Sequence, residues 1–354
     1  MTVCRTLDKI EKNDVLEKGV FMRPTASVAL ITFNGAKYLQ EQLDSLAKQT
    51  VLPDELVVCD DCSTDATMEI LHRFAESAPF PVRIFQNEKN LGWSANFHRA
   101  FFLCEKDVTF FCDQDDIWLP KKIEKMLSAF EREPEVGMVL SYDHRVDAAG
   151  KLIPWGCHLH HLTPFLKKEN NFQTLFKMRF WGWAMHNMAC RTVLREILFC
   201  TEKSFSIPFD IYVYMMLGFL SEVRTVPEVC MYFRRHGENV TTRSGKVKNP
   251  LKLFWNATKR HSDITYILSK LQIWYCLTEN LSQFEQVKEK PEFVFAQNVI
   301  AHLENRLRIH ESFWKRLPLW TTELFSGRYF TCSGKPIRNI ISDLLAFPQK
   351  RENK

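Results

Sequence analysis

Carboxylate side chains follow two short apolar runs of this sequence. The run at 55–59 (ELVVC) leads into Asp60 and Asp61, and the run at 107–112 (DVTFFC) leads into DQDD at 113–116. In an open α/β sheet, ligands bind at the carboxyl ends of the strands, where loops leave the sheet. Carboxylates crowded there need a cation or hydrogen-bond donors. Mg²⁺ or Mn²⁺, held partly by carboxylates and partly by the phosphates of a substrate, meets that need.

A structural role is the alternative for two of these residues. Asp61 and Asp116 each precede a predicted helix and could cap its first turn. A cap needs one carboxylate per loop, whereas DQDD supplies three. We therefore interpret the surplus carboxylates as a metal- and phosphate-binding site.

The elements that would position these carboxylates alternate regularly from Ser27 onward. Short β-rich runs are separated by segments with apolar residues at helical spacing, which is typical of a parallel sheet with helices on both faces. The predicted strands are 27–33, 55–61, 82–86, 107–113 and 136–143, and the predicted helices are 34–50, 63–76, 93–104 and 120–133. We predict an α/β fold with a mostly parallel sheet flanked by helices.

The sequence also divides into regions. Residues 1–24 are polar and mixed and are predicted to be a loose lead-in. We predict one α/β domain over 25–245, with a regular half at 25–147 and a mixed half at 148–245. Helical periodicity then predicts a separate helical extension over 246–354.

Composition excludes several classes of protein. The chain has 354 residues, 45% hydrophobic and 25% charged, which excludes a disordered chain and a disulfide-stapled mini-protein. Its 11 cysteines are odd in number and lie mostly in apolar runs, which indicates reduced thiols in a cytoplasmic protein. The N-terminus has no apolar signal region, and no run approaches the ~20 apolar residues of a membrane span. We therefore expect neither export through such a signal nor insertion.

Two nucleotide-binding classes are also poorly supported. No G-x-G-x-x-G follows the first strand, and no G-x-x-x-x-G-K-[ST] is present. The net charge of +5 is too small to indicate a nucleic-acid partner. A nucleotide held by acidic groups and a metal remains.

Five motifs in order resemble those of the family 2 glycosyltransferases, which have the glycosyltransferase-A fold. They are TFNG at 32–35, LxSLxxQT at 43–50, VVxDDxSTDxT at 57–67, NxGxSxN at 90–96 and DQDDIWxP at 113–120. The last form is similar to the rhamnosyltransferase-like branch. The resemblance implies that 25–147 is the nucleotide-sugar half of the domain and 148–245 the acceptor half.

The resemblance also implies roles on the nucleotide side. Asp113 and Asp115 would hold Mn²⁺ or Mg²⁺ against the diphosphate of the donor, with Asp115 the stronger candidate ligand and Asp113 completing the site or contacting the ribose. One of the two carboxylates after the second strand would accept the imide N–H of uracil or thymine. The residues implied in nucleotide binding are Thr32, Phe33, Asn34, Asp60, Asp61, Asn90, Asn96 and Asp113. For the two asparagines at 90 and 96, a role in structuring the loop is an equal alternative.

The resemblance continues into two downstream segments. PFD at 208–210 supplies Asp210 as the general base, and its alternative role is to cap the helix that follows. VPEVxMYFRRHGENV at 226–240 supplies Arg234, Arg235 and His236 as contacts to the leaving diphosphate. His236 could instead ligate the metal or pack in the core. The match covers about 215 of the 354 residues.

Three residues depart from the family pattern. Cys62 replaces a usual glycine, which makes a positive φ less accessible there. Phe209 replaces a polar neighbour of the base, and Phe233 replaces a usual tyrosine. These changes affect acceptor binding in the family pattern and remove no carboxylate.

The last third of the chain carries the excess positive charge. Residues 251–354 contain 16 basic and 10 acidic residues, and the other 250 residues are close to neutral. Aromatic and basic residues interleave at 313–330, which suits peripheral contact with an anionic membrane on the inner face of the plasma membrane. A core helix or a dimer contact is the alternative.

Two sets of residues at 155–186 are left with open or structural interpretations. His158, His160 and His161 are predicted to lie in a solvated loop. Trp155, Trp181 and Trp183 either stack on an acceptor sugar or fill the core.

These features together predict an enzyme. We expect an inverting, metal-dependent hexosyl- or rhamnosyltransferase that moves a sugar from a UDP- or dTDP-sugar to a saccharide or lipid-linked acceptor in surface polysaccharide biosynthesis, such as lipopolysaccharide O-antigen or capsule. One alternative is an inactive sugar-nucleotide-binding or scaffold protein, which should lack one of Asp113, Asp115 or Asp210. The other is a nucleotidyltransferase, which should have a glycine-rich basic loop after its first strand.

Overall fold

The computed structural model describes residues 23–133, 135–154, 187–199, 207–237, 239, 264–311, 313–332 and 336–345. These residues fall into two compact units: an α/β unit that ends at residue 239, and a helical unit at 264–345. Most of the predicted lead-in, the histidines and tryptophans of 155–186, and the first part of the predicted extension (246–263) lie outside the described residues.

The described strands of the α/β unit form a single sheet. Their bounds are β1 Ala26–Thr32, β2 Glu55–Asp60, β3 Val82–Gln86, β4 Val108–Cys112, β5 Ile117–Trp118, β6 Val136–Asp147, β7 Met188–Arg191 and β8 Glu222–Arg235. Their order across the sheet is β3-β2-β1-β4-β7-β6-β8-β5. The four strands β3, β2, β1 and β4 are parallel to one another. The predicted α/β fold is confirmed.

Helices connect these strands. Their bounds are α1 Ala36–Ala47, α2 Thr67–Ser77, α3 Trp93–Leu103, α4 Lys122–Arg132, α5 Arg195–Leu198 and α6 Phe209–Leu220. Each of β1, β2 and β4 is buried along its whole length. Continuous apolar strands of this kind are expected where helices cover both faces of a sheet.

The parallel order brings the predicted carboxylates together. Thr32 at the end of β1 is in register with Asp60 at the end of β2, and β4 lies on the other side of β1. Farther along the chain, β5 pairs antiparallel with β8, which places Ile117 opposite Tyr232. The loop at 113–116 therefore lies beside the end of β8, where the sequence places its cationic residues.

The helical unit contains helices with the bounds α7 Ile264–Leu281, α8 Glu285–Lys288, α9 Pro291–Glu311, α10 Phe313–Phe325, α11 Arg328–Thr331 and α12 Pro336–Leu345. Among the described residues, none of the helices combines the length and the apolar character that crossing a bilayer requires. Two carboxylates of this unit, Glu323 and Asp343, are completely buried.

Candidate functional site

Asp60 ends β2 as a buried carboxylate that the protein surrounds with donors. Its Oδ1 accepts hydrogen bonds from the hydroxyls of Thr32 (2.8 Å) and Ser63 (2.5 Å), and its Oδ2 accepts one from the backbone N–H of Ser63 (2.9 Å). The side chain is completely buried. Asp60 thus joins the end of β1 to the loop after β2, and its predicted contact with the nucleoside stays a prediction.

Asp61 organises the loop that precedes α3. Its Oδ1 accepts from the Asn87 amide (2.6 Å) and the backbone N–H of Leu91 (2.7 Å), and its Oδ2 accepts from the backbone N–H of Gly92 (2.8 Å). Because Gly92 immediately precedes α3, Asp61 supports the start of that helix and not the start of α2, the helix that follows it in sequence.

The two predicted asparagines contribute to the same loop. The Asn90 side chain donates to the carbonyl of Asp61 (3.2 Å), and the Asn96 side chain donates to the carbonyl of Cys59 (2.8 Å). These contacts are those expected of residues that structure the loop. The alternative of direct nucleotide contact stays a prediction.

Two non-glycine residues adopt left-handed backbone conformations here. Cys62 has a φ of 65° and Asn34 has a φ of 47°. The family glycine that Cys62 replaces is therefore not needed for the turn to form. The Cys62 thiol donates to the carbonyl of Asn87 (2.9 Å), and the Asn34 N–H donates to the Ser63 hydroxyl (2.8 Å). Side-chain and backbone contacts compensate for a conformation that a Cβ makes costly.

Gln114 fixes the backbone of Phe33, a role that the sequence analysis missed. Its amide oxygen accepts the N–H of Phe33 (2.8 Å), and its amide nitrogen donates to the carbonyl of Phe33 (3.0 Å). The Phe33 ring is 47% exposed, although it follows a fully buried strand. An exposed aromatic ring held at a rigid strand end is suited to stack on a planar ligand.

Asp115 and His236 form the centre of the candidate site. The Asp115 Oδ2 accepts a hydrogen bond from the His236 Nε2 (2.7 Å) and another from the Asn239 amide (3.1 Å). Asn239 also accepts the backbone N–H of His236 through its Oδ1 (2.6 Å). Asn239 is not among the predicted site residues, although this asparagine lies three residues after His236 in the segment at 226–240.

Arg234 is buried and bonded to protein groups. Its Nε donates to the carbonyl of Asp115 (2.9 Å), one terminal nitrogen donates to the carbonyl of Ala148 (3.2 Å), and the other forms an ion pair with Glu41. Only 2% of the side chain is exposed. The guanidinium also lies 4.9 Å from the centre of the Tyr38 ring.

The neighbouring residues Arg234, Arg235 and His236 contact different partners. Arg235 is half-buried, and its guanidinium lies 5.9 Å from the ring centre of Phe233. Arg234 and Arg235 are consecutive in β8, and consecutive strand side chains point to opposite faces. Arg234 donates to the backbone carbonyl of Asp115, and His236 bonds to the carboxylate of Asp115. The guanidinium of Arg235 lies instead near the ring of Phe233.

Asp210 lies in the first turn of α6, at a position fixed by its neighbour. Phe209 is completely buried, and its ring stacks between those of Phe97 and Phe199 at centroid distances of 5.8 and 5.7 Å. The backbone N–H of Phe209 donates to the hydroxyl of Ser94 in the first turn of α3 (3.0 Å). Since α3 begins at the carboxyl edge of the sheet, α6 begins there as well.

The contacts of Asp210 itself leave both of its predicted roles open. Its Oδ1 accepts the backbone N–H of Ile211 (2.8 Å), as a carboxylate in the first turn of a helix can. The residue before the helix is Pro208, which has no side-chain acceptor for a cap.

The donor set fits a cation that is completed by substrate. Within the described residues, no group of three or more histidine, cysteine, aspartate or glutamate side chains is arranged to hold a metal ion. Asp115 and His236 nevertheless place one carboxylate and one imidazole nitrogen 2.7 Å apart. Mg²⁺ is commonly held by one or two carboxylates together with substrate phosphates and water. Such a site needs few protein ligands.

Comparison with known proteins identifies the domain. Residues 27–198 match the model of glycosyl transferase family 2. This segment contains every motif of the nucleotide half. Residues 27–198 form a family 2 glycosyltransferase domain.

Curated relatives agree with this assignment. The chain is 28% identical over 221 residues to a protein of Nostoc sp. named an uncharacterized glycosyltransferase, covering 60% of this chain and 65% of the relative. It is 25% identical over 236 residues to chondroitin synthase of Escherichia coli, covering 66% of this chain and 32% of the relative. The chain thus spans less than two thirds of the length of either relative.

A solved structure shares the fold. TarS 1–349 of S. aureus, in complex with UDP-GlcNAc, superposes with a TM-score of 0.52 at 18% identity and covers 90% of each chain. At this identity the likeness shows the fold alone.

Proposed function

We propose that the chain is an inverting, divalent-metal-dependent glycosyltransferase that uses a UDP- or dTDP-sugar donor. The observation that carries the proposal is the contact of Asp115, which follows β4 inside the family 2 match, with His236 and Asn239, which lie after that match in sequence. TarS, which shares the fold, was solved with UDP-GlcNAc, which supports a uridine donor.

The nucleoside part of the donor belongs at the ends of β1 and β2. The exposed Phe33 ring offers a face on which a base can stack, and Gln114 holds its backbone in place. Thr32, Asn34, Asp60 and Asp61 form the polar surroundings. The Thr32 hydroxyl donates to Asp60, the Asp61 N–H donates to the Thr32 carbonyl, and Ser63 joins Asn34 to Asp60. We assign Asp113, half-buried at the end of β4, to the ribose or to completion of the metal site.

The diphosphate of the donor belongs beside Asp115. Asp115 would hold Mn²⁺ or Mg²⁺ there, joined by His236 once its Nε2 has released the proton that it donates to Asp115, and Asn239 contacts both side chains. When bound, such a cation neutralises the negative charge that develops on the leaving diphosphate. Arg235 is the remaining basic residue of this segment that we assign to the diphosphate.

Asp210 is assigned as the general base. Its carboxylate accepts the proton of the acceptor hydroxyl while that oxygen bonds to the anomeric carbon and the bond to the diphosphate breaks. A single displacement of this kind inverts the anomeric configuration. The support is positional, since α6 starts at the edge of the sheet where the donor would lie.

Calorimetric titration of the full chain with UDP, dTDP, GDP and CDP, each with and without Mn²⁺, tests the proposal. We expect binding of UDP or dTDP that depends on Mn²⁺ and that is lost in Asp115→Ala. Absence of nucleotide binding under every metal condition would instead favour the scaffold alternative. Transfer to a saccharide or lipid-linked acceptor of surface polysaccharide, by a hexosyl or rhamnosyl donor, can then be assayed with the nucleotide that binds.

The helical unit has a separate proposed role, which is peripheral contact with an anionic membrane. Leu317, Phe325 and Phe330 are 61%, 87% and 59% exposed, and the last third of the chain has an excess of basic residues. Exposed aromatic side chains among basic residues favour the membrane interface. Sedimentation with vesicles of phosphatidylglycerol should capture the wild type more than Phe325→Ser, whereas vesicles of phosphatidylcholine should capture neither.

A further inference from the structure

Arg234 differs from the other basic residues of the site in where its hydrogen bonds go. Its Nε donates to the carbonyl of Asp115, while the carboxylate of Asp116 accepts its backbone N–H (3.1 Å). One residue of β8 therefore holds two consecutive residues of the acidic loop. Its other side-chain donors reach Ala148 and Glu41.

Two residues of α1 support this arginine. Tyr38 and Glu41 lie three positions apart, so they share one face of the helix. The Tyr38 ring lies 4.9 Å from the guanidinium and 4.7 Å from the ring of His236. Glu41 forms the ion pair with Arg234 and keeps 53% of its side chain exposed. The face of α1 thus connects Arg234 and His236, two of the residues that bond to Asp115.

The side-chain nitrogens of Arg234 bond to Asp115, Ala148 and Glu41. These contacts favour a role other than the predicted contact with the leaving diphosphate. We propose that Arg234, held by Tyr38 and Glu41, is a positioning residue that sets the orientation of Asp115 and thereby tunes donor binding. This inference rests on the proposed function, because it takes Asp115 as the carboxylate that meets the metal and the diphosphate. Groups that orient a metal ligand typically change metal affinity about 10- to 100-fold when they are removed.

Glu41 provides the sharpest test, because it lies on the exposed side of the network and is assigned no contact with the donor. In Glu41→Ala, the guanidinium of Arg234 loses the carboxylate with which it forms an ion pair. We expect the Mn²⁺-dependent affinity for UDP, measured by calorimetry on the full chain, to fall about tenfold. The affinity measured in EDTA should change by less than about twofold. Glu41→Gln, which keeps an acceptor oxygen for Arg234, should recover most of the loss.

Glu228→Ala is the matched control. Glu228 is 56% exposed and forms an ion pair with Lys125, a geometry close to that of Glu41 but with a partner that does not contact Asp115. We expect its UDP affinity to match that of the wild type in both conditions. Thermal unfolding of each variant establishes that the titrations are made on folded protein.

Arg234→Lys distinguishes positioning from direct contact. Lysine keeps the charge but cannot reach several acceptors as a planar fork does. We expect it to weaken UDP binding about 10- to 100-fold with Mn²⁺ and to leave binding in EDTA unchanged. Equal weakening in both conditions would show that Arg234 contacts the diphosphate and would overturn the inference.

The outcomes separate this inference from the proposed function. If the wild type binds UDP in a Mn²⁺-dependent manner and Glu41→Ala binds it equally well, the positioning role is wrong and the function stands. If the wild type binds no nucleotide, the proposed function fails and the inference fails with it. Should Arg234→Lys not fold, the Glu41 variants still decide the question.

Discussion

The α/β unit and the helical unit each place an aspartate near a histidine, an arginine and a tyrosine, and they arrange the four residues differently. In the helical unit, Asp343 is completely buried, and Arg306 binds both of its carboxylate oxygens at 2.7 Å. His310 and Tyr329 each donate a further hydrogen bond at 2.7 Å. Each oxygen of Asp343 thus accepts two hydrogen bonds.

In the α/β unit, the arginine lies near Asp115 but does not bind its carboxylate. Arg234 donates to the backbone carbonyl of Asp115, and the carboxylate receives His236 and Asn239. The side chain of Asp115 is 15% exposed. An arginine that binds a carboxylate neutralises its charge, whereas one that binds the adjacent backbone carbonyl can orient the carboxylate without pairing with it. The comparison separates a fully bonded, buried carboxylate from a partly exposed one, to which we have assigned a ligand.

The electrostatics of the helical unit agree with a structural role. Burial alone would raise the pKa of Asp343, but the charge of Arg306 and the hydrogen bond from His310 hold that pKa well below its ordinary range. Burial, and then the charge of Asp343, raise the pKa of Tyr329. Both residues therefore keep their protonation states throughout the neutral range.

The largest effect is expected from Asp343→Asn. The amide has nearly the same shape but removes the negative charge that Arg306 binds, and breaking a buried ion pair typically costs about 3–5 kcal/mol. We expect the most protected backbone amides of residues 264–345 to exchange faster, by the factor that corresponds to a loss of about 3–5 kcal/mol in the free energy of unfolding. Glu285→Gln, at an exposed ion pair with Lys288 in the same unit, should change stability by less than about 1 kcal/mol. Hydrogen exchange as slow in Asp343→Asn as in the wild type would contradict the structural role assigned to Asp343.

Acid should destabilise the helical unit through Glu323. Burial raises the pKa of this carboxyl, but hydrogen bonds from His302, Arg328 and Asn305 outweigh burial and lower it to about 2. Because the pKa is lower in the folded state, the stabilisation is present above about pH 4.5 and is lost as the pH falls toward 2. A shift of this size corresponds to about 3 kcal/mol.

The variant Glu323→Gln isolates this contribution. Burial also lowers the pKa of His302, so its protonation below about pH 6.5 destabilises the fold in the same direction. Between pH 2 and 4.5, the free energy of unfolding measured with denaturant should therefore depend less steeply on pH in the variant. The loss of stability that His302 causes below about pH 6.5 should persist. Parallel curves for the two proteins would contradict the assigned pKa of Glu323.

Asp115→Asn should show the opposite pattern to Asp343→Asn. Asparagine has nearly the same shape as aspartate, and the side chain at this position is partly exposed. We therefore expect the free energy of unfolding to change by less than about 1 kcal/mol. Loss of a charged ligand should weaken Mn²⁺-dependent UDP binding by more than about 100-fold, which exceeds the effect of altering an orienting group. A strongly destabilised variant with unchanged UDP affinity would place Asp115 in the same structural class as Asp343.

The two parts of the α/β sheet differ in how far the sequence predicts them. The parallel strands β1 to β4 follow from apolar runs that alternate with helical periodicity, and both signals are local. The strand β8 is less visible, because it includes Pro227 and many half-exposed residues, and because its pairing with β6 and β5 is fixed by distant segments. The two residues of β5 are too few to produce a periodicity.

The candidate site shows the same limit. The carboxylates at 60–61 and 113–116 could be predicted because they directly follow buried strands. The groups that bind them could not, since Asp61 is held largely by backbone N–H groups of Leu91 and Gly92, which carry no residue-type signal. Glu41 and Arg234 are separated by 193 positions, so their ion pair is a property of the folded chain.

The smallest predicted effect concerns Cys62, which replaces a glycine of the family pattern and has a positive φ. Its φ of 65° is costly for any residue with a Cβ, and glycine adopts it freely. Cys62→Gly and Cys62→Ala both remove the thiol that donates to Asn87, so their difference isolates the backbone conformation. We expect the glycine variant to be more stable by about 1 kcal/mol, measured by denaturant unfolding. A more stable alanine variant would show that the loop holding Asp61 relaxes to a negative φ, and that this conformation is not required to place the carboxylate.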